Sequence, residues 1–264
     1  MKALLTNEAR LRQKPFLLGD KWFLVVGLAG VIVCAWAYVV RTSFDMHGRM
    51  EGSAWTMEAR WDAQYVLLIF GMWVAMMVGM MLPSALPTIL LFRRAIYKDP
   101  KVRAPATRTL MFAAGYVVAW MMFSVAATLL QWGLAQAALL SSMMVGVSSR
   151  LGAAILITAG AYQLTPLKQV CIRHCRSPLA FLMQHWRPGI PNALILGLRH
   201  GIYCVGCCWV LMLLLFFGGV MSLLWIAAIT AFVLVEKLAP YGVQGGRLGG
   251  IALIIGGLWV LGSG

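Results

Sequence analysis

The sequence predicts an all-α fold: a polytopic membrane bundle of about seven transmembrane helices with its amino terminus in the cytoplasm. Composition, hydropathy and spacing predict it. Hydrophobic residues make up 61% of the 264-residue chain and charged residues only 11%, whereas a water-soluble domain carries about 25% charge. Mean hydropathy is +0.83. Apolar stretches of membrane-crossing length recur along the chain with basic segments between them, and a spanning helix needs roughly 20 mostly apolar residues so that its backbone satisfies itself inside hydrocarbon. The net charge of +14 does not indicate nucleic acid as a partner, because a nucleic-acid binder gathers its Lys and Arg on one solvated face.

Residues 1–22 read as a cytoplasmic basic tail and 23–264 as a single polytopic domain. The first span runs from Phe23 to Val40. A basic tail before an apolar run resembles a signal peptide, but no small-residue cleavage site follows and the run is too long, so the helix is expected to be retained. Val31, Ile32 and Val33 also lack the small side chains that precede a lipidated cysteine at Cys34. An extracytoplasmic loop at 41–63 leads to the second span, Gln64 to Phe92, in which Pro83 and Pro87 free carbonyls near its end. A cytoplasmic loop at 93–108 precedes the third, Thr109 to Trp132. The fourth, Leu151 to Leu164, is short. A cytoplasmic loop at 165–191 precedes the fifth, Asn192 to Phe217, and the last two cover Val220 to Lys237 and Leu248 to Leu261.

Orientation follows from the distribution of Lys and Arg, since cytoplasmic segments keep the excess. The tail holds Lys2, Arg10, Arg12, Lys14 and Lys21, the second connection Arg93, Arg94, Lys98, Lys101, Arg103 and Arg108, and the fourth Lys168, Arg173, Arg176 and Arg187. Lys237 and Arg247 lie on the same side. The opposite side holds only Arg41, Arg49, Arg60 and Arg150, with Arg199 inside a span. The amino terminus therefore faces the cytoplasm, and seven spans put the carboxyl terminus outside.

Polar and sulfur-bearing side chains at membrane depth carry the functional information. At about 100° per residue, His200, Cys204, Cys207 and Cys208 fall within an arc of about 100° on the fifth span. One helix face thus presents an imidazole and three thiols, donors that suit Cu(I) or Zn(II) rather than Mg or Ca. Gly197, Gly201 and Gly206 on the same span permit close approach of neighbours. Buried free cysteines also serve as small hydrophobes in a packed bundle, which is the competing account.

In the 165–191 loop, Cys171, His174 and Cys175 have i, i+3, i+4 spacing and align on a helical turn, forming a second ligand set that His185 or the fifth span would complete. The alternative is a basic juxtamembrane loop attracted to anionic lipid. The second span carries Met72, Met76, Met77, Met80 and Met81; Met76 and Met80 would line a face opposite the cysteines, or pack as adaptable filler. Asp45, Met46, His47 and Glu51 in the first loop form a brief surface segment that would capture a soft cation or be simply solvated. Glu236 and Lys237 are expected to pair with each other or with Arg199 and to snorkel to the interface. No phosphate-binding loop, nucleophile elbow or His-Glu-x-x-His pattern is present, and Cys204-x-x-Cys207 has the spacing of a redox dithiol.

The stretch Met72 to Pro83, Tyr162 to Lys168, Cys171 to Ser177, Gly197 to Met212 and Val235 to Pro240 together resemble a bacterial family of predicted metal-binding integral membrane proteins, some of them labelled copper chaperones. The resemblance runs from about Trp55 to the carboxyl end. It implies metal binding by Cys171, His174, Cys175, His200, Cys204, Cys207 and Cys208.

The expectation is therefore a multi-pass protein of the bacterial inner membrane that handles or delivers Cu(I), with zinc as the second metal. Lipid and a metal-exchanging protein are the expected partners. A metal- or thiol-dependent oxidoreductase subunit and a structural subunit of a membrane complex, its thiols inert, are the rivals.

Overall fold

The computed structural model describes residues 22–44, 61–97, 102, 104–137 and 148–263. The basic tail, the Asp45 to Glu51 segment of the first loop, and Lys98, Lys101 and Arg103 lie outside them. Among the described residues all regular structure is helical: α1 Trp22–Phe44, α2 Ala63–Tyr97, α3 Pro105–Gln136, α4 Ser149–Leu164, α5 Pro166–Arg176, α6 Pro178–His185, α7 Ile190–Gly218, α8 Leu223–Leu238 and α9 Gly242–Ser263.

Local chemistry explains where several helices begin. Asp62 caps α2, its Oδ1 accepting from the Tyr65 backbone N–H at 2.8 Å, which satisfies one of the donors a helix start leaves over. Thr165 does the same for α5, accepting from the Lys168 backbone N–H at 3.3 Å, with Pro166 at the first helical position, where its missing N–H costs nothing. The 165–191 segment, expected as a loop, is thus largely two short helices, because Pro166 and Pro178 each start one after a break.

Among the described residues five helices are long and apolar enough to cross a membrane: α1, α2, α3, α7 and α9. The two others expected to cross, α4 and α8, have 16 residues each, short of the roughly 20 that a full span needs. The outer surface is apolar, with Leu67 and Leu68 on α2, Met122 and Leu129 on α3, and Leu258 and Trp259 on α9 all exposed, as lipid contact requires.

Two seams of small residues set the packing. A Cβ on Gly197 would collide with the Phe112 carbonyl, one on Gly115 with the Leu194 carbonyl, and one on Gly201 would lie 2.5 Å from Ala119 Cβ, so α3 and α7 approach backbone to backbone. Gly160, Gly250 and Gly257 do the same between α4 and α9. Helix α2 runs through both prolines. Pro83 has no N–H for the Gly79 carbonyl four residues earlier, and Trp36 Nε1 of α1 donates to that oxygen at 3.2 Å. This contact and the bond from Ser43 Oγ to the Met221 carbonyl at 2.9 Å tie α1 to the bundle.

Candidate metal centre

The predicted face of α7 is buried as a unit, His200, Cys204, Cys207 and Cys208 being at most 2% exposed. The close α3–α7 seam brings Tyr116 to it. The Tyr116 hydroxyl lies 3.1 Å from Cys204 Sγ and donates to the Met81 carbonyl of α2 at 2.9 Å. Cys207 Sγ lies 3.3 Å from Cys208 Sγ and donates to the Cys204 carbonyl at 3.2 Å.

Helix α5 brings a fourth sulfur to this region: Cys175 is partly buried and packs against the core that contains Cys204, Cys207 and Cys208. An ion pair inside the bundle holds α5 there. Lys168, with a fully buried side chain, lies 2.6 Å from Glu236 Oε1 of α8 and 2.8 Å from Oε2. Arg176 donates to the Glu236 carbonyl at 2.5 Å and to the Pro240 carbonyl at 3.1 Å, covering acceptors that the end of α8 leaves unpaired. The Tyr162 hydroxyl donates to the Gly206 carbonyl, and Cys171 packs on Gly206, where a Cβ would stand 2.9 Å from its sulfur.

Lys237, next to Glu236, turns the other way. Its Nζ lies 2.8 Å from Cys204 Sγ and 3.3 Å from Ser84 Oγ. Both residues of the Glu236–Lys237 step are buried, at 3% and 6% exposure. Neither takes the expected partner: Glu236 binds Lys168, Lys237 reaches a thiol, and Arg199 is exposed. Snorkelling is prevented because α8 ends facing α5 and α7 rather than lipid. Lys168 is likewise a buried partner of Glu236 rather than a solvated loop charge.

The remaining expected ligands divide. His200 is ringed by Phe181, Tyr116 and Phe112, with ring centroids at 5.2, 5.7 and 6.1 Å, and its Nδ1 is buried without a hydrogen-bond partner. An orphaned imidazole nitrogen on the same buried helix face as Cys204, Cys207 and Cys208 adds a donor of the kind that suits a soft cation. His174 points away, stacked on Tyr203 at 4.1 Å with its Nδ1 2.9 Å from the Val170 carbonyl. His185 sits by its own helix, 3.0 Å from the Phe181 carbonyl. Met76 and Met80 are fully buried on α2, while the α2 groups bonded to the thiol neighbourhood are the Met81 carbonyl and Ser84, up to a turn further on.

Among the described residues, no three His, Cys, Asp or Glu side chains stand in the geometry of a bound ion. Cys207 Sγ instead lies against Cys208 Sγ, and Cys204 Sγ against Lys237 Nζ. Tyr116, Ser84 and Lys168 were absent from the sequence-derived set. An ionisable residue at membrane depth is the signal that pointed to Lys237; Tyr116 carried none, because it comes from another helix.

No curated protein and no solved structure matches the chain. A family model described as a copper chaperone, PpoB2, matches residues 70–260, a stretch that contains every side chain of the thiol cluster and of the Lys168–Glu236 pair. The chain belongs to this copper chaperone family.

Proposed function

We propose that this is a membrane copper-handling protein that binds Cu(I) through two or three donors drawn from Cys175, Cys204, Cys207, Cys208 and His200, and passes it to a protein partner. The observation that carries the reading is the buried thiol face of α7, with Cys207 Sγ 3.3 Å from Cys208 Sγ and Lys237 Nζ 2.8 Å from Cys204 Sγ. Cu(I) favours two or three soft ligands, and thioether, thiolate and imidazole are the side chains that suit it. Cys171 and His174 belong to the cytoplasmic approach on α5, and Met76 and Met80 to the α2 wall.

In this reading α4 and α8 also cross the membrane, making seven spans, with the tail and loops 93–108 and 165–191 in the cytoplasm of a bacterial inner membrane. The domain runs from residue 23 onward. Short α4 and α8 are tolerated by a locally thinned bilayer. The thiol site then lies toward the cytoplasmic side, where reducing conditions keep thiols free.

The test is metal analysis of reduced, detergent-purified protein loaded with Cu(I), comparing wild type with a variant carrying Cys204, Cys207 and Cys208 changed to Ser. Bound copper is expected to fall to background in the variant; equal copper in both ends the site assignment. A second reading, thiol redox chemistry, draws on the packing of Cys175 of α5 against the core that contains Cys204 of α7. Recovery of a disulfide between these two from native membranes would favour it over copper delivery.

A further inference from the structure

Lys237 stands on the last turn of α8, where a lysine ordinarily bonds the final carbonyls of its helix or a nearby carboxylate. Both options are taken. Arg176 covers the Glu236 and Pro240 carbonyls, and Lys168 holds both carboxylate oxygens of Glu236. The Lys237 ammonium is left facing Cys204 at 2.8 Å and Ser84 at 3.3 Å. Ser84 is itself fixed, donating to the Met81 carbonyl at 2.8 Å, so its oxygen lone pairs face the lysine. Tyr116, anchored to the same carbonyl, approaches the same sulfur.

We propose that Lys237 is the selectivity residue of the thiol site, holding a fixed positive charge against Cys204 so that the site takes a monovalent soft cation and rejects a divalent one. This rests on the copper reading above. Charge neutrality is the reason. In a buried site, net charge is costly. One monovalent cation on the Cys204 thiolate and one neighbouring thiolate, the remaining thiols staying protonated, leaves one negative charge, which the ammonium cancels. A divalent cation on the same two thiolates leaves the ammonium uncompensated, and at a given distance it is repelled twice as strongly.

The experiment uses full-length protein in detergent with reductant. Cu(I) affinity is read against a chromophoric Cu(I) chelator and Cd(II) affinity by its thiolate absorption, for wild type, Lys237→Gln, Lys237→Arg and Ser84→Ala. The ratio of Cu(I) to Cd(II) affinity is expected to fall at least about tenfold in Lys237→Gln, because the charge that penalises the divalent ion is gone. Lys237→Arg keeps the charge and the ratio. Ser84→Ala leaves the lysine but removes its second acceptor, so the ratio falls by a smaller factor, about threefold; this variant decides the matter if Lys237→Gln does not fold. A wild type that binds Cu(I) while the ratio is unmoved in Lys237→Gln, or in Ser84→Ala where that variant decides, overturns the selectivity role. A wild type that binds no Cu(I) overturns the underlying copper reading instead.

Discussion

Lys168 on α5 and Glu236 on α8 form an ion pair at 2.6 Å in which both side chains are buried. Breaking such a pair from one side leaves a lone charge inside the bundle, which costs about 3–5 kcal/mol, whereas replacing both partners with apolar groups is often neutral. Lys168→Met alone is therefore expected to lower thermal stability in detergent markedly, and the double variant Lys168→Met/Glu236→Leu to regain most of it. Scanning fluorimetry of the single and double variants checks this. Equal melting temperatures for wild type and Lys168→Met would remove the pair from the account of how α5 is held.

The α3–α7 seam makes a second prediction. Gly197→Ala puts a methyl group into the Phe112 carbonyl, and forced overpacking costs about 1–3 kcal/mol. Gly71→Ala on α2 meets nothing within 4 Å and replaces glycine inside a helix, which gains about 0.5–1 kcal/mol. Opposite shifts in melting temperature for these two Gly→Ala changes are the expected outcome.

Most of the span pattern and the thiol face of α7 were legible because both are properties of one segment: an apolar run has a length, and residues 200, 204, 207 and 208 share a side at helical spacing. What was not legible depends on two segments meeting. Lys168 counts as a cytoplasmic charge in any tally of basic residues, and only the arrival of Glu236, 68 residues later, makes it a buried partner. The i, i+3, i+4 spacing of Cys171, His174 and Cys175 suggested one ligand cluster, yet Cys171 rests on Gly206, His174 stacks on Tyr203, and Cys175 packs against the core around the α7 thiols. Alignment on a helix face says which residues are neighbours, not what the next helix presents to each.

Tyr116→Phe isolates the hydroxyl that bridges α2 and α7. It removes the contacts to Cys204 Sγ and the Met81 carbonyl, while that carbonyl keeps its bond from Ser84 and the ring stays beside His200. The stability loss is expected to be about 0.5–1.5 kcal/mol, the net worth of one hydrogen bond. With the hydroxyl gone from beside its sulfur, Cys204 should react faster with a small membrane-permeant alkylating agent. Mass-spectrometric quantification of modified Cys204 in wild type and variant membranes checks it; unchanged labelling would mean that the hydroxyl does not shield the thiol.

Cys175 and Cys171 lie on one helix, four residues apart, and provide the sharpest test of the site. Both pack against the core that holds the α7 thiols; Cys204 and Cys207 act electrostatically on the Cys175 thiol, while Cys171 packs on the Gly206 backbone. If the four clustered thiols hold Cu(I), Cys175→Ser removes a ligand and is expected to weaken Cu(I) binding by at least about tenfold, or 1.4 kcal/mol. Cys171→Ser is expected to leave the affinity within about twofold, because a serine fills nearly the same space beside Gly206 and no metal–sulfur bond is lost. Competition with a chromophoric Cu(I) chelator reads both. Equal losses in the two variants would mean that α5 acts through its packing, whereas a loss confined to Cys171→Ser would move the metal toward Gly206 and the cytoplasmic end of α5.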